Sequence, residues 1–213
     1  FEFVRNFDLP YFAANPSDFW RRWHISLSTW MRDYVYKPLG GDRGRPSATY
    51  RNLLITMLLG GLWHGAAWTF VLWGLYHGAL LALHRVLRPG LQRLGARMDR
   101  VPVPWMVVRV ASMFVLTCYG WLLFRASSLD QIVAMTASLA RPLDAIDWSG
   151  VARVSGLVAP LLLVQAIQAR TGIPVFTRVP WMPAPARVVV YTLIGYLTIF
   201  RGGEPLAFVY FQF

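Results

Sequence analysis

Four histidines, His24, His64, His77 and His84, are this chain's candidates for acid–base chemistry near neutral pH. His64 stands in Gly60-Gly61-Leu62-Trp63-His64-Gly65, where glycines let another backbone or a substrate approach closely. No Asp, Glu, Lys or Arg occurs from Asn52 to Leu83, so His64 lies well inside an uncharged run. An ionisable group in such surroundings is costly and points to function. Two readings stay open: a general base, or a core histidine bonded to a carbonyl freed by a helix break. His77 falls within Gly74-Leu75-Tyr76-His77-Gly78, a spacing that marks close helix packing. His84 adjoins Arg85 at the end of the apolar run, a place for an interfacial side chain. His24 lies between Trp23 and Ile25 in a tryptophan-rich stretch.

Other chemistries lack their residues. No HxxxH or CxxC pair offers a metal site. There is no GxSxG elbow, and no carboxylate between Asp42 and Asp99 could orient His64 locally. Walker A and GxGxxG patterns are missing, so no tightly bound cofactor is expected. The lone Cys118 sits in an apolar stretch and reads as a small buried hydrophobe. A buried base with a second histidine suits abstraction of a proton from a hydroxyl that then attacks an activated acyl group.

The elements that must position these residues belong to a membrane protein. Apolar residues make up 56% of the 213 and charged residues only 15%, with a mean hydropathy of +0.42. A soluble domain carries about 25% charge. Trp, Tyr and Phe are abundant, as at membrane–water interfaces. The net charge of +11 lies between the apolar runs, where cytoplasmic loops place it, and not on a solvated face for nucleic acid.

Asn15-Pro16-Ser17-Asp18 starts a helix, with Asn15 as N-cap, that is expected to run to about Tyr36 and to end at Pro38-Leu39-Gly40-Gly41. On its wheel Trp20, Trp23, Leu27, Trp30, Met31 and Tyr34 share an arc, and His24 lands among them. Such a helix suits the interface or the wall of a protein-enclosed cavity. Asn52–Leu83 as one helix would be roughly 48 Å, too long for a core of about 30 Å and too short for two spans. A bent or re-entrant pair is expected, broken around Gly60–Gly65, with His64 near mid-bilayer. Basic residues on both flanks favour both ends lying in the cytoplasm. Trp105–Phe124, Val154–Ala169 and Val188–Phe200 are further span candidates, giving four or five membrane segments. Leu129–Trp148 reads as a loop with a short helix capped by Ser127 and Asp130, and Phe208–Phe213 as an interfacial tail. The sequence opens on Phe1 with neither signal nor transit peptide and reads as starting in mid-protein.

Asp18-Phe19-Trp20-Arg21-Arg22-Trp23-His24-Ile25-Ser26-Leu27-Ser28, continued by Tyr34–Gly41, resembles the signature of the bacterial alginate O-acetyltransferase branch of the membrane-bound O-acyltransferase superfamily. Leu58-Leu59-Gly60-Gly61-Leu62-Trp63-His64-Gly65-Ala66 is similar to the block that holds the superfamily's catalytic histidine, and Phe124-Arg125-Ala126 and Phe208–Phe213 fit the same branch. The resemblance implies an all-α, polytopic bundle with broken or re-entrant helices, of which residues 1–213 would be the C-terminal catalytic portion, N-terminal helices absent. It implies His64 as general base and His24 as the second active-site histidine. An acyl group, acetyl in this branch, would pass from a cytoplasmic thioester donor (acetyl-CoA or an acyl carrier protein) through the bacterial inner membrane to a hydroxyl. The receiver would be an alginate-like exopolysaccharide or a periplasmic, esterase-like relay protein. Arg21, Arg22 and Arg32 would meet an acidic carrier, the donor's phosphates or anionic lipid headgroups. D-alanyl transfer to teichoic acid and O-acetylation of peptidoglycan or another glycan are the alternatives within the superfamily. A transporter using His64 and His24 as a proton relay would call for repeat-related halves, which the sequence lacks. An enzymatically silent membrane scaffold is the third class.

Overall fold

Asn15 opens the first helix as its residue type demands: its side-chain oxygen accepts the Asp18 N–H at 2.9 Å, and Pro16 fills the first helical position. The computed structural model describes residues 4–98, 101–140, 142, 147–172 and 183–200, and the regular elements among them are helical. The chain divides into two units, Phe1–Ile146 and Asp147–Phe213.

In the first unit, α1 (Pro16–Arg22) stops early. The continuous helix expected to Tyr36 is broken at Trp23, which is extended, and His24, which is left-handed at φ 43° and ψ 56°. α2 (Ile25–Met31) resumes and runs into a π-helical turn over Arg32–Tyr36. The expected terminator does end it: Gly40 and Gly41 take φ 109° and 56° in the next turn. That turn is pinned from three sides. Fully buried Asn52 donates its amide to the Gly41 carbonyl at 3.2 Å. The Tyr36 hydroxyl donates to Asp42 at 2.7 Å, and Arg85 pairs with the same carboxylate at 2.5 Å. Burial, and then the Asp42 carboxylate, push the Tyr36 phenol above its ordinary pKa.

α3 (Pro46–His64) and α4 (Trp68–Arg97) form the bent pair. The break comes later than the glycines suggest. Gly60 and Gly61 stay helical, and the chain turns at Gly65, whose φ is 156°. The glycines serve contact: a Cβ on Gly61 would strike the Phe70 carbonyl oxygen, and one on Gly74 the Met57 carbonyl oxygen. Gly78 completes the seam against Leu54. The packing expected of the Gly74–Gly78 spacing is therefore what it provides.

α5 (Pro102–Arg125) and α6 (Leu129–Ser138) close the unit around a core of Trp73, Leu123, Ala126 and Ile132. Tyr76 ties α4 to α5 by donating to the Leu116 carbonyl at 2.9 Å. The cap of α6 is Ser128, whose oxygen accepts the Gln131 N–H, one residue along from the expected Ser127 and Asp130. Cys118, expected buried, is exposed on α5, because Met113, Thr117 and Gly120 turn the other face inward.

By length and composition α4 and α5 can each cross a membrane. α3 does not meet that test, since its apolar part, Leu53–Trp63, would cover only about half of a core of about 30 Å. In the second unit α7 (Trp148–Thr171) bends by 45° between Gly156 and Val158. Pro160 accounts for the bend, because its ring excludes the carbonyl four residues earlier. Counting that bent pair, up to three spans pass by length and composition among the described residues, and the expected segments 105–124, 154–169 and 188–200 all lie in helices. α8 (Ala184–Phe200) is the last described helix, and the expected interfacial tail Phe208–Phe213 lies outside the described residues.

Candidate active site

His64 is the last residue of α3, held there because Gly65 turns the chain and donates its N–H back to the Leu62 carbonyl at 3.1 Å. The half-buried imidazole meets Trp73 of α4 and Phe124 of α5 edge-on, with centroids 5.2 and 5.0 Å away and planes at 89° and 87°. Trp63 adds a third edge contact at 4.9 Å. Edge-to-face packing of this kind restricts how the ring can turn. Among the described residues the His64 ring makes aromatic contacts and no hydrogen bond.

His24 reaches the same place from another element. Its left-handed backbone separates α1 from α2, and its ring meets Trp63 at 6.2 Å and 82°. Trp63 thus touches both histidines. The His24 Nδ1 is buried and has no hydrogen-bond partner among the described residues. His24 and His64 line one cavity of about 460 Å³, together with Trp20, Met57, Gly60 and Trp73.

The charged residues that line the cavity are arginines, and each has a carboxylate beside it. Arg21 and Arg32 line it, and among the described residues no Asp or Glu does. Of the three arginines grouped by sequence, Arg22 does not line the cavity, and Arg21 pairs with Asp18 at 3.7 Å. Arg22 is drawn off by Asp18, at 2.9 Å, and by the Asp8 carbonyl, at 3.3 Å. Arg32 pairs with Asp33 at 3.0 Å, and that guanidinium, followed by Lys37, holds the Asp33 carboxyl well below the usual carboxylate range.

The remaining histidines lie elsewhere. His77 is buried, stacked on Phe19 at 6.0 Å and 7° and edge-on to Trp20 at 5.2 Å. A Cβ on Gly120 would come within 2.7 Å of its Nε2, so α4 and α5 pack directly across it. His84 lines a second cavity of about 700 Å³, between α4 and α5, beside Arg88 and Arg109. Sequence reasoning passed over Trp73, which sits three residues after Phe70 in an apolar run with nothing local to mark it as a wall of the His64 site.

Residues 4–125, more than half the chain, match the family described as MBOAT, membrane-bound O-acyltransferase. The chain belongs to that family. Both histidines and their aromatic walls fall inside the matched MBOAT segment. Among curated relatives, "Probable alginate O-acetylase AlgI" of Azotobacter vinelandii is 44% identical over 190 residues, covering 87% of this chain and 36% of the relative. The protein of the same description in Pseudomonas aeruginosa is 49% identical over 130 residues, 61% of this chain and 23% of the relative. A "Peptidoglycan O-acetyltransferase" of Helicobacter pylori is 42% identical over 125 residues, 59% of this chain and 23% of the relative. The chain thus spans between about a quarter and a third of the length of these MBOAT relatives.

Proposed function

We propose that this chain carries the acyl-transfer site of a membrane-bound O-acyltransferase that moves acetyl groups onto hydroxyls of an exported, alginate-like polysaccharide. The observation that carries the reading is the meeting of His24 and His64, forty residues apart in sequence, on one aromatic-walled cavity. His64 acts as general base. It takes the hydroxyl proton, the oxygen attacks the thioester carbonyl carbon, the C–S bond breaks, and the imidazolium returns its proton to the departing thiolate. Three edge-to-face aromatic contacts hold the His64 ring, which makes no hydrogen bond among the described residues, as suits a base awaiting a substrate. His24 is the companion that binds or steadies the acyl oxygen. Arg21 and Arg32 at the rim suit an anionic donor such as acetyl-CoA or an acyl carrier protein. The setting is the bacterial inner membrane, crossed several times, with acetyl passing to the glycan directly or through a periplasmic, esterase-like relay protein.

The similarity to a peptidoglycan O-acetyltransferase favours a second acceptor, a peptidoglycan sugar hydroxyl, at the same site. The test is His64→Gln in the whole protein in membrane vesicles supplied with radiolabelled thioester. Transfer to a polysaccharide or peptidoglycan acceptor is expected to fall to background while insertion and melting stay as in the wild type. Retained transfer would sink the assignment of His64 as base, and the acceptor that takes label separates the two glycans.

A further inference from the structure

A helix break leaves backbone groups without their i→i−4 partners, and such groups take partners from elsewhere in the protein or from water. At the break between α1 and α2 the open groups include the Arg22 carbonyl and the N–H groups of Ile25 and Ser26. All three are taken by a strap formed by residues 6–8. Asp8 N–H donates to the Arg22 carbonyl at 2.9 Å, and Ile25 N–H donates to the Asn6 carbonyl at 2.9 Å. Ser26 donates twice to the Asn6 side-chain oxygen, from its N–H at 3.1 Å and its hydroxyl at 2.6 Å. Between them Phe7 packs edge-on against Trp23, centroids 4.8 Å apart, and stands 6.2 Å from the His24 ring. His24 sits at the centre in a left-handed conformation, uncommon for a non-glycine residue.

We infer that Asn6 is the positioning residue for His24. Its two oxygens replace the missing helical acceptors on the α2 side of the break, fix the dihedrals of His24 and so keep the imidazole in the cavity it shares with His64. Asn6 does not line that cavity and touches no reacting atom. It acts through Ile25 and Ser26. In these contacts Asn6 uses its oxygens, as acceptors. That makes a sharp distinction between substitutions: Asp keeps the acceptor and Ala deletes it.

The inference rests on the proposed role of His24 in transfer, and two readouts keep the two apart. In the whole protein in vesicles, the rate at which diethyl pyrocarbonate modifies His24, followed by mass spectrometry, reads the orientation of the ring directly. Turnover reads its use. Asn6→Ala is expected to change the His24 modification rate and to lower kcat by about tenfold to a hundredfold, with KM little changed, the signature of misplaced catalytic geometry. Asn6→Asp is expected to restore both. Ser26→Ala, at an exposed residue, removes only the hydroxyl contact and is expected to fall between, which keeps the test available if Asn6→Ala does not insert. His24 modification unchanged in Asn6→Ala, or in Ser26→Ala where the first variant fails, overturns the inference. So does an Asn6→Asp variant as perturbed as Asn6→Ala. A changed modification rate with wild-type kcat upholds the clamp and instead removes His24 from the transfer step.

Discussion

Replacing Gly61 by Ala should destabilise the protein, although helix propensity alone says the reverse. Ala is favoured over Gly inside a helix by about 1 kcal/mol. At Gly61, however, the added methyl would overlap the Phe70 carbonyl oxygen and stand 3.1 Å from its carbon and 3.2 Å from the Gly74 Cα. These obstacles are backbone atoms of the facing helix, which no rotamer change can move. Overpacking costs about 1–3 kcal/mol, and a backbone obstacle belongs at the upper end, leaving a net loss of about 2 kcal/mol. Relief requires α3 and α4 to part by about 1 Å, since a close-packed seam has no slack to absorb a methyl. His64 lies one turn beyond Gly61, and its edge contact with Trp73 is made across that same seam. On the proposed role of His64 as base, a shift of about 1 Å costs about a hundredfold in rate. Thermal melting in detergent, read by size-exclusion fluorescence, checks the first consequence and acetyl transfer in vesicles the second. Gly90→Ala is the control on α4, since its methyl would meet nothing within 4 Å, and it should be neutral or stabilising. A Gly61→Ala protein that melts with or above Gly90→Ala would refute the close-seam account.

The turn before α3 supplies two further tests. Asn52→Leu strips the Gly41 carbonyl of its buried donor and leaves Arg51 without the Asn52 oxygen, so a loss of about 1–3 kcal/mol is expected in the same melting assay. The Tyr36 phenol, with its pKa raised by burial and by Asp42, contributes stability that is fully present below the unfolded phenol pKa, about 10, and is lost as pH rises through the higher folded value. Alkaline melting should therefore fall more steeply above that pH in the wild type than in Tyr36→Phe, and equal slopes would contradict the assigned environment.

Much of the helical layout is written locally. Asn15 and Pro16 start α1 where their chemistry says, the Gly40-Gly41 turn ends the helical run through Tyr36, and the uncharged run folds as a bent pair. What periodicity could not show is the interruption at Trp23-His24. A helical wheel reports which side chains share a face, and Trp20, Trp23 and His24 share one whether or not the backbone is continuous. The break depends on acceptors supplied by Asn6 and on the Asp8 N–H, some twenty residues away for the Ser26 contact, and no window centred on α1 contains them all. The glycines of α3 misled in the opposite direction. Gly60 and Gly61 permit a turn, but they are used for helix–helix approach, and the turn falls at Gly65, where a positive φ is required.

The same physics accounts for why the two histidines of the site are found where they are. Each occupies an end of helix, His64 the last residue of α3 and His24 the residue before α2. A side chain in mid-helix is committed to one face and packs against the neighbouring turns. A side chain at an interruption can leave that register and project into space between elements, at the cost of backbone groups that need new partners. At His64 the cost is low, because glycine adopts the turn freely. At His24 it is higher, because a bulky aromatic side chain is carried through a left-handed residue, and the strap from Asn6 to Asp8 offsets it. A histidine at a low-cost interruption is visible in sequence as a glycine-flanked residue, as His64 is. A histidine at a high-cost interruption is marked only by whatever meets the cost. Here that mark is a polar side chain well upstream, in a segment that reads by itself as an ordinary lead-in to the first helix.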